Sequence, residues 1–99
     1  MDIKTLTAVI NQFVTDKGWY APDSIYPQTP RNIATSVAVE VGELLEHFQF
    51  ADLPQDRAAV AGELADVAQY LFQLADLLEI DLEQAILTKL ATNYGRTWP

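Results

Sequence analysis

Residues 36–50 read SVAVEVGELLEHFQF, an apolar stretch interrupted by Glu40 and Glu43. With a step of about 100° per residue, one stripe of an α-helix collects the apolar residues Val37, Val41, Leu44, Leu45 and Phe48, and the two glutamates lie just outside that stripe. Because the glutamates are three residues apart, their Cβ atoms are roughly 5–6 Å from each other on a shared face. The stretch therefore predicts a packed helix that carries a pair of carboxylates at the border of the core.

A second stretch repeats this arrangement further along the chain. Residues 61–78 read AGELADVAQYLFQLADLL, in which Glu63 and Asp66 are again three residues apart and Tyr70 projects between them. When two helices pack through their apolar stripes, the residues at the edges of the stripes meet. The sequence therefore predicts that four carboxylates gather at one place between two neighbouring helices.

Such a gathering of negative charge requires a counter-charge. Like charges about 5 Å apart repel by roughly 3 kcal/mol per pair at an effective dielectric constant near 20. Four carboxylates together would raise their pKa values or force the helices apart unless something neutralises them. A hard divalent cation does so, and ligation by oxygen alone favours Mg²⁺ or Mn²⁺ over Zn²⁺. The spacing also allows a second interpretation, in which the acids only mark the solvent boundary of each helix.

The remaining residues also read as helix, and we expect a single all-α domain over residues 1–99. No alternating strand pattern of useful length appears, and four helices are expected at about residues 2–16, 30–50, 54–79 and 81–93. Between the first two helices runs DKGWYAPDSIYPQTP (16–30), whose three prolines forbid regular helix. A loop of this length is usually functional or disordered, and its aromatic residues favour an ordered one.

Charge and composition exclude several classes of protein. Fourteen acidic residues against six basic residues give a net charge of −8, which repels a nucleic-acid backbone, so no direct duplex binding is expected. No apolar run is long enough for a membrane span. The N-terminus lacks the features of a signal peptide, so a cytoplasmic location is expected. The absence of cysteine excludes a thiolate zinc site. A phosphorylated ligand would need a multivalent cation between itself and this acidic chain.

In their context, the two acidic segments resemble the MazG-like all-alpha nucleoside triphosphate pyrophosphohydrolases, especially the branch that includes dCTP pyrophosphatase. The resemblance rests on EVGELLEHFQF (40–50) and ELADVAQYL (63–71), and it covers residues 30 to 96. It implies a compact four-helix bundle that assembles as a homodimer or as a dimer of dimers, a homotetramer. It also implies hydrolysis of a nucleoside or deoxynucleoside triphosphate, such as dCTP, to the monophosphate and pyrophosphate, as nucleotide-pool housecleaning.

The resemblance further assigns roles to individual residues. It implies Mg²⁺, with Mn²⁺ as a substitute, bound by Glu40, Glu43, Glu63 and Asp66. Glu43 is also the implied general base for the attacking water. Substrate contacts are implied for Trp19, Phe50, Tyr70, Lys89 and Asn93. Among these, the aromatic rings would stack on the base and Lys89 would meet phosphate. Phe50 stands where the branch usually has tryptophan, which reduces the stacking area.

Ordinary structural roles compete with these assignments. Lys89 could be a solvated lysine near a helix end, and the aromatic residues could serve only in packing. His47, the single histidine, reads as a residue at the solvent edge. A di-iron bundle is a weak alternative, because it needs two Glu-x-x-His motifs. Two other functions stay open: a related pyrophosphohydrolase for dUTP or phosphoribosyl-ATP, and a non-catalytic helical module that binds a partner protein.

Overall fold

The structure is a computed structural model, and it describes all residues from 1 to 99. The chain forms four α-helices and no strand: α1 (Ile3–Asp16), α2 (Pro30–Glu46), α3 (Arg57–Leu77) and α4 (Leu82–Tyr94). The prediction of an all-α fold with four helices is therefore confirmed. The central helix is α3, which contacts each of the other three and pairs most extensively with α2.

Each helix begins at a side chain that caps its free backbone N–H groups. Asp2, Thr29, Asp56 and Asp81 each accept a hydrogen bond from the backbone N–H three residues further on. Such a cap satisfies one of the four donors that the first turn of a helix leaves without a partner. Pro30 occupies the first position of α2, where its missing N–H is not needed.

Two helix ends differ from those that the sequence predicts. α2 ends at Glu46 instead of near residue 50, because residues 47–50 form turns and Phe50 adopts a φ of 64°. A positive φ at a residue other than glycine is incompatible with a continued right-handed helix. α3 begins at Arg57 instead of Pro54, because Asp56 accepts from the backbone N–H of Ala59 and fixes the helix start there.

The core lies between α1, α2 and α3, and it is small. Its buried apolar residues are Ile10, Val14, Ile33 and Ala75. Two polar residues, Thr7 and Gln73, are equally buried. Thr7 donates from its hydroxyl to the carbonyl oxygen of Ile3 at 2.7 Å, so its burial leaves no donor without a partner.

Much of the apolar surface stays exposed in a single chain. Leu64 and Leu71 on α3 and Leu78 at its C-cap follow one another at seven-residue spacing and are 54%, 43% and 49% exposed. No residue of α4 is fully buried. The Cα radius of gyration is 16.0 Å, whereas a compact domain of 100 residues has one of about 13 Å. One chain therefore does not cover its own apolar faces. None of its helices combines the length and the hydrophobicity that crossing a membrane requires.

Candidate functional site

Three of the four predicted carboxylates converge where α2 packs against α3. One oxygen each of Glu40, Glu43 and Glu63 lies within 4.8 Å of the other two. Glu43 is exposed, while Glu40 and Glu63 are half-buried. In both half-buried residues the Oε2 atom is buried and has no hydrogen-bond partner. The pairing of α2 with α3 thus brings together acids that are distant in the chain.

Asp66 lies beside these three residues and not among them. It is exposed, and it lines a neighbouring cavity together with Glu40 and Tyr70. Its charge still acts on the Glu40 carboxyl, where it raises the pKa. Its role as a fourth metal ligand stays a prediction.

Burial and the crowding of the acids raise the pKa of Glu40. Its pKa is raised to about 7, first because burial penalises the charged form and then because of a hydrogen bond with Glu43. Repulsion from the charges of Glu43, Asp66 and Glu63 adds to the shift. The pKa of Tyr70 is also raised, first by burial and then by the charge of Glu40. No lysine or arginine of the chain forms an ion pair with these carboxylates.

The chemistry of these donors fits a hard divalent cation. All the donors are carboxylate oxygens, which Mg²⁺ and Mn²⁺ prefer, and two of the buried oxygens have no other partner. The imidazole of His47 touches the cluster, with its Nε2 atom 3.5 Å from Oε1 of Glu63. The sequence predicts a histidine at the solvent edge, and the structure shows a half-buried imidazole that lies against Glu63. Its position four residues after Glu43, on the same helix face, was the available signal.

A cavity of about 750 Å³ lies next to the cluster, between α1, α2, α3 and the loop of residues 17–29. Glu40 belongs both to the cluster and to the cavity wall. Trp19 lines the cavity and packs edge-to-face against Phe13 and Tyr26, with ring centroids 5.6 and 6.3 Å apart. The volume falls within the range of about 300–1,000 Å³ that is typical of small-molecule sites. The aromatic wall suits a ligand with an aromatic ring, and the acidic end would accept an anionic group only through a bound cation.

The predicted substrate residues divide into two groups. Trp19 and Tyr70 both line the cavity. Phe50, Lys89 and Asn93 do not line it. Phe50 is 98% exposed and borders a smaller depression beside His47, while Lys89 and Asn93 lie on α4. The Oδ1 atom of Asn93 is buried without a hydrogen-bond partner. Substrate contact by these five residues stays a prediction.

A partly buried hydrogen-bond network reaches the cavity wall through Gln28 and Gln73, and the sequence does not predict it. Gln73 donates from Nε2 to the hydroxyl of Tyr20 at 3.1 Å and to Oε1 of Gln28 at 2.9 Å. The Tyr20 hydroxyl donates to Oδ1 of Asn11, and Nδ2 of Asn11 donates to Oδ2 of Asp76 at 2.9 Å. The available signal was a glutamine within an apolar segment of α3, since a buried amide must find hydrogen-bond partners.

Comparison with known proteins places these features in a family. The MazG-like family matches residues 35–97. The dCTP pyrophosphatase 1 of Bos taurus is 38% identical over 96% of this chain and 57% of its own length. The dCTP pyrophosphatase 1 of Homo sapiens is 36% identical over 96% of this chain and 56% of its own length. A dATP/dGTP diphosphohydrolase of Cyanophage S-2L is 36% identical over 70% of this chain and 58% of its own length. The chain thus spans little more than half the length of these curated relatives.

A solved structure shares the fold. The crystal structure of a pyrophosphatase from Archaeoglobus fulgidus matches with a TM-score of 0.77 and 32% sequence identity. The match covers 91% of this chain and 86% of the other. The family match spans most of the chain, and relatives above 30% identity align with nearly all of it. On these grounds, the chain belongs to the MazG-like family.

Proposed function

We propose that this protein is a Mg²⁺-dependent pyrophosphohydrolase that cleaves a nucleoside triphosphate between its α and β phosphates. The products are the nucleoside monophosphate and pyrophosphate. The observation that carries the proposal is the convergence of Glu40, Glu43 and Glu63 beside a cavity that Trp19 and Tyr70 also line. Relatives named dCTP pyrophosphatase and dATP/dGTP diphosphohydrolase support this class of reaction. The proposed substrate is dCTP, and the proposed role is nucleotide-pool housecleaning in the cytoplasm.

The carboxylate cluster would hold the cation. Glu40, Glu43 and Glu63 supply its ligands, and Asp66 is the proposed fourth. Bound there, Mg²⁺ or Mn²⁺ would offset the charge on the phosphates and lower the pKa of the attacking water. The chain itself carries a net charge of −8, so its acidic surface favours an anionic triphosphate only where that charge is locally neutralised.

The protein side chains then divide the remaining work. Glu43 is the most exposed member of the cluster, and it takes a proton from the attacking water as the general base. Trp19 and Tyr70 stack against the nucleoside, because aromatic rings offer apolar area to a base. Lys89 contacts phosphate and Asn93 the sugar or phosphate. Lys89 and Asn93 lie on α4, and Phe50 lies just after α2. None of the three lines this chain's own cavity, so we expect them to complete the cavity of another subunit.

A product analysis tests the reaction. Purified protein is incubated with dCTP, dUTP, dTTP, dATP, dGTP or phosphoribosyl-ATP in Mg²⁺, in Mn²⁺ or in EDTA, and the products are separated by anion-exchange chromatography. We expect monophosphate and pyrophosphate in the presence of either metal and neither product in EDTA. Release of orthophosphate would contradict cleavage between the α and β phosphates. No turnover of any nucleotide would leave the non-catalytic interaction module as the better explanation.

A pair of matched variants tests the cluster. Glu43→Gln should lower kcat by roughly 10²–10⁴-fold, the usual contribution of a general base. Glu46→Gln is the control, because Glu46 is an exposed glutamate of the same helix outside the cluster. Mg²⁺ should also raise the Tm of the wild-type protein, since it binds only the folded state. Equal activity of the two variants, or a Tm that millimolar Mg²⁺ leaves unchanged with and without nucleotide, would argue against the site.

A further inference from the structure

Gln73 is the most deeply buried polar residue of the cavity wall, with 2% of its surface exposed. A carboxamide carries an NH₂ group that donates and an oxygen that accepts, so a freely turning one can serve either kind of ligand. Gln73 is not free to turn. The hydrogen bonds around it determine which end of the amide bonds to the network and which end has no partner within the chain.

One side of the network is fixed by Asp76. An ionised carboxylate only accepts hydrogen bonds, so Asn11 must present Nδ2 to it, as observed at 2.9 Å. Asn11 then presents Oδ1 to the hydroxyl of Tyr20, which donates its single proton there. Burial raises the pKa of Tyr20, so the hydroxyl keeps that proton. Towards Gln73, Tyr20 can therefore only accept, and Nε2 of Gln73 must face it.

The other side of the network gives the same orientation independently. Nε2 of Gln28 donates to the backbone carbonyl oxygen of Tyr26 at 2.7 Å, and a carbonyl can only accept. Gln28 therefore turns Oε1 towards Gln73, which again requires Nε2 of Gln73 as the donor, at 2.9 Å. Both amide hydrogens of Gln73 are thus engaged. Since no group of the chain donates to its Oε1, that oxygen is the one polar atom that Gln73 can offer to an occupant of the cavity.

We propose that Gln73 is a specificity-determining residue that selects nucleobases with an exocyclic amino group, an inference that rests on the nucleotide substrate proposed above. The amino group of cytosine donates to a fixed acceptor. Uracil and thymine carry a carbonyl oxygen in the same position, which is an acceptor and cannot form a hydrogen bond with Oε1 of Gln73. The acceptor gives up its hydrogen bond from water when the ligand enters. If the ligand supplies no donor in its place, the buried acceptor is left unpaired, which is strongly unfavourable. Cytosine and uracil have nearly the same size, so shape alone does not separate them.

The neighbouring glutamine shows why the fixed orientation matters. Gln69 lies one turn earlier on α3 and also lines the cavity, but it is exposed and makes no side-chain hydrogen bond in the structure. Its amide can turn to suit an amino group or a carbonyl, so it does not discriminate. Gln73 discriminates because Tyr20 and Gln28 hold its amide from two sides.

The wild-type enzyme provides the first test. We expect kcat/KM for dCTP to exceed that for dUTP by roughly 10–100-fold, the effect of one mispaired buried hydrogen-bonding group. The purine nucleotides dATP and dITP differ in the same way, with an amino group in dATP and a carbonyl oxygen in dITP at position 6. We therefore expect kcat/KM for dATP to exceed that for dITP. Equal values within both pairs would overturn the role of Gln73 and leave the pyrophosphohydrolase standing. No hydrolysis of any nucleotide would instead overturn the proposed function.

Calorimetric binding of dCMP and dUMP makes the same comparison without turnover. Equal affinities would overturn the role of Gln73.

Two matched variants assign the effect to the residue. Gln73→Met keeps the length of the side chain and removes the acceptor, so the ratio of the dCTP to the dUTP value should fall towards one. Gln69→Met makes the same chemical change one turn away, and its ratio should stay at the wild-type value. The assignment to Gln73 would be overturned if Gln73→Met kept the wild-type ratio of the dCTP to the dUTP value. It would also be overturned if only Gln69→Met lost that ratio. Circular dichroism checks that both variants fold, and the wild-type ratio tests the proposal even where Gln73→Met is unstable.

Discussion

Among the four acids, Glu40 is the one whose charge is least compensated. Glu43 is exposed to water, and Glu63 has His47 at 3.5 Å from one of its oxygens. Glu40 is half-buried, has a buried oxygen without a partner and faces other carboxylates. Burial and like charges both disfavour its ionised form, which is why its pKa rises to about 7.

In the metal-free protein, this shift should make the free energy of unfolding decrease as the pH rises. The pKa of Glu40 is about 7 in the folded protein, whereas that of an unperturbed glutamate is 4.5, so the folded state binds the proton more tightly. The stability from this group is complete below pH 4.5 and is lost as the pH rises through 7. Denaturant titrations in EDTA at pH 5 and pH 8 measure the difference.

The variant Glu40→Gln isolates the contribution of this group, because an amide does not titrate. Its free energy of unfolding should fall less between pH 5 and pH 8 than that of the wild-type protein. Glu46→Gln, which changes an exposed glutamate outside the cluster, should keep the full decrease. The explanation fails if Glu40→Gln loses as much stability between pH 5 and pH 8 as the wild-type protein does.

At the scale of the helices, the sequence predicts which segments are helical better than it predicts where they end. Apolar periodicity and the caps at Thr29 and Asp81 place the starts of α2 and α4 correctly. Periodicity does not find the end of α2, because the apolar residues Phe48 and Phe50 continue the pattern after the backbone has left the helix. The start of α3 depends on a cap at Asp56, which competes with the favourable first-turn position of Pro54.

The same contrast applies to the candidate site. Convergence of Glu40, Glu43 and Glu63 follows from local spacing, because two packed helices bring the edges of their apolar stripes together. The network at Gln73 could not be predicted in this way. Its partners Tyr20 and Gln28 are 53 and 45 residues away in sequence and lie in the loop between α1 and α2. Only the tertiary structure shows that a loop without regular structure supplies them.

α4 is the element whose position a single chain explains least. It packs mainly against α3, none of its residues is fully buried, and Ile86, Leu87 and Leu90 are exposed. The same helix carries Lys89 and Asn93, whose predicted contacts with substrate are not made in the chain's own cavity. An exposed apolar helix whose polar residues do not reach the chain's own cavity is typical of a surface that another subunit covers.

For the whole molecule, we therefore predict self-association as a homodimer or a dimer of dimers. The exposed leucines at residues 64, 71 and 78 form a stripe at heptad spacing, which suits packing against a second helix. Light scattering should give two or four times the chain mass of 11.0 kDa. Leu71→Glu should shift the mass towards the monomer, whereas Ala58→Glu, an exposed change in the first turn of α3, should not. A monomeric wild-type protein would contradict the prediction.

A shared cavity makes a further prediction, because two inactive variants should then restore each other. Glu43→Gln retains Lys89 and Lys89→Ala retains Glu43, so a mixed dimer contains one site with both native residues. Refolding the two variants together in equal amounts should recover about a quarter of the wild-type activity, since half of the dimers are mixed and one of their two sites is complete. Each variant refolded alone is the control and should stay inactive. If mass spectrometry shows mixed dimers that have no activity, Glu43 and Lys89 act within the same chain, and α4 must move towards its own cavity for that to occur.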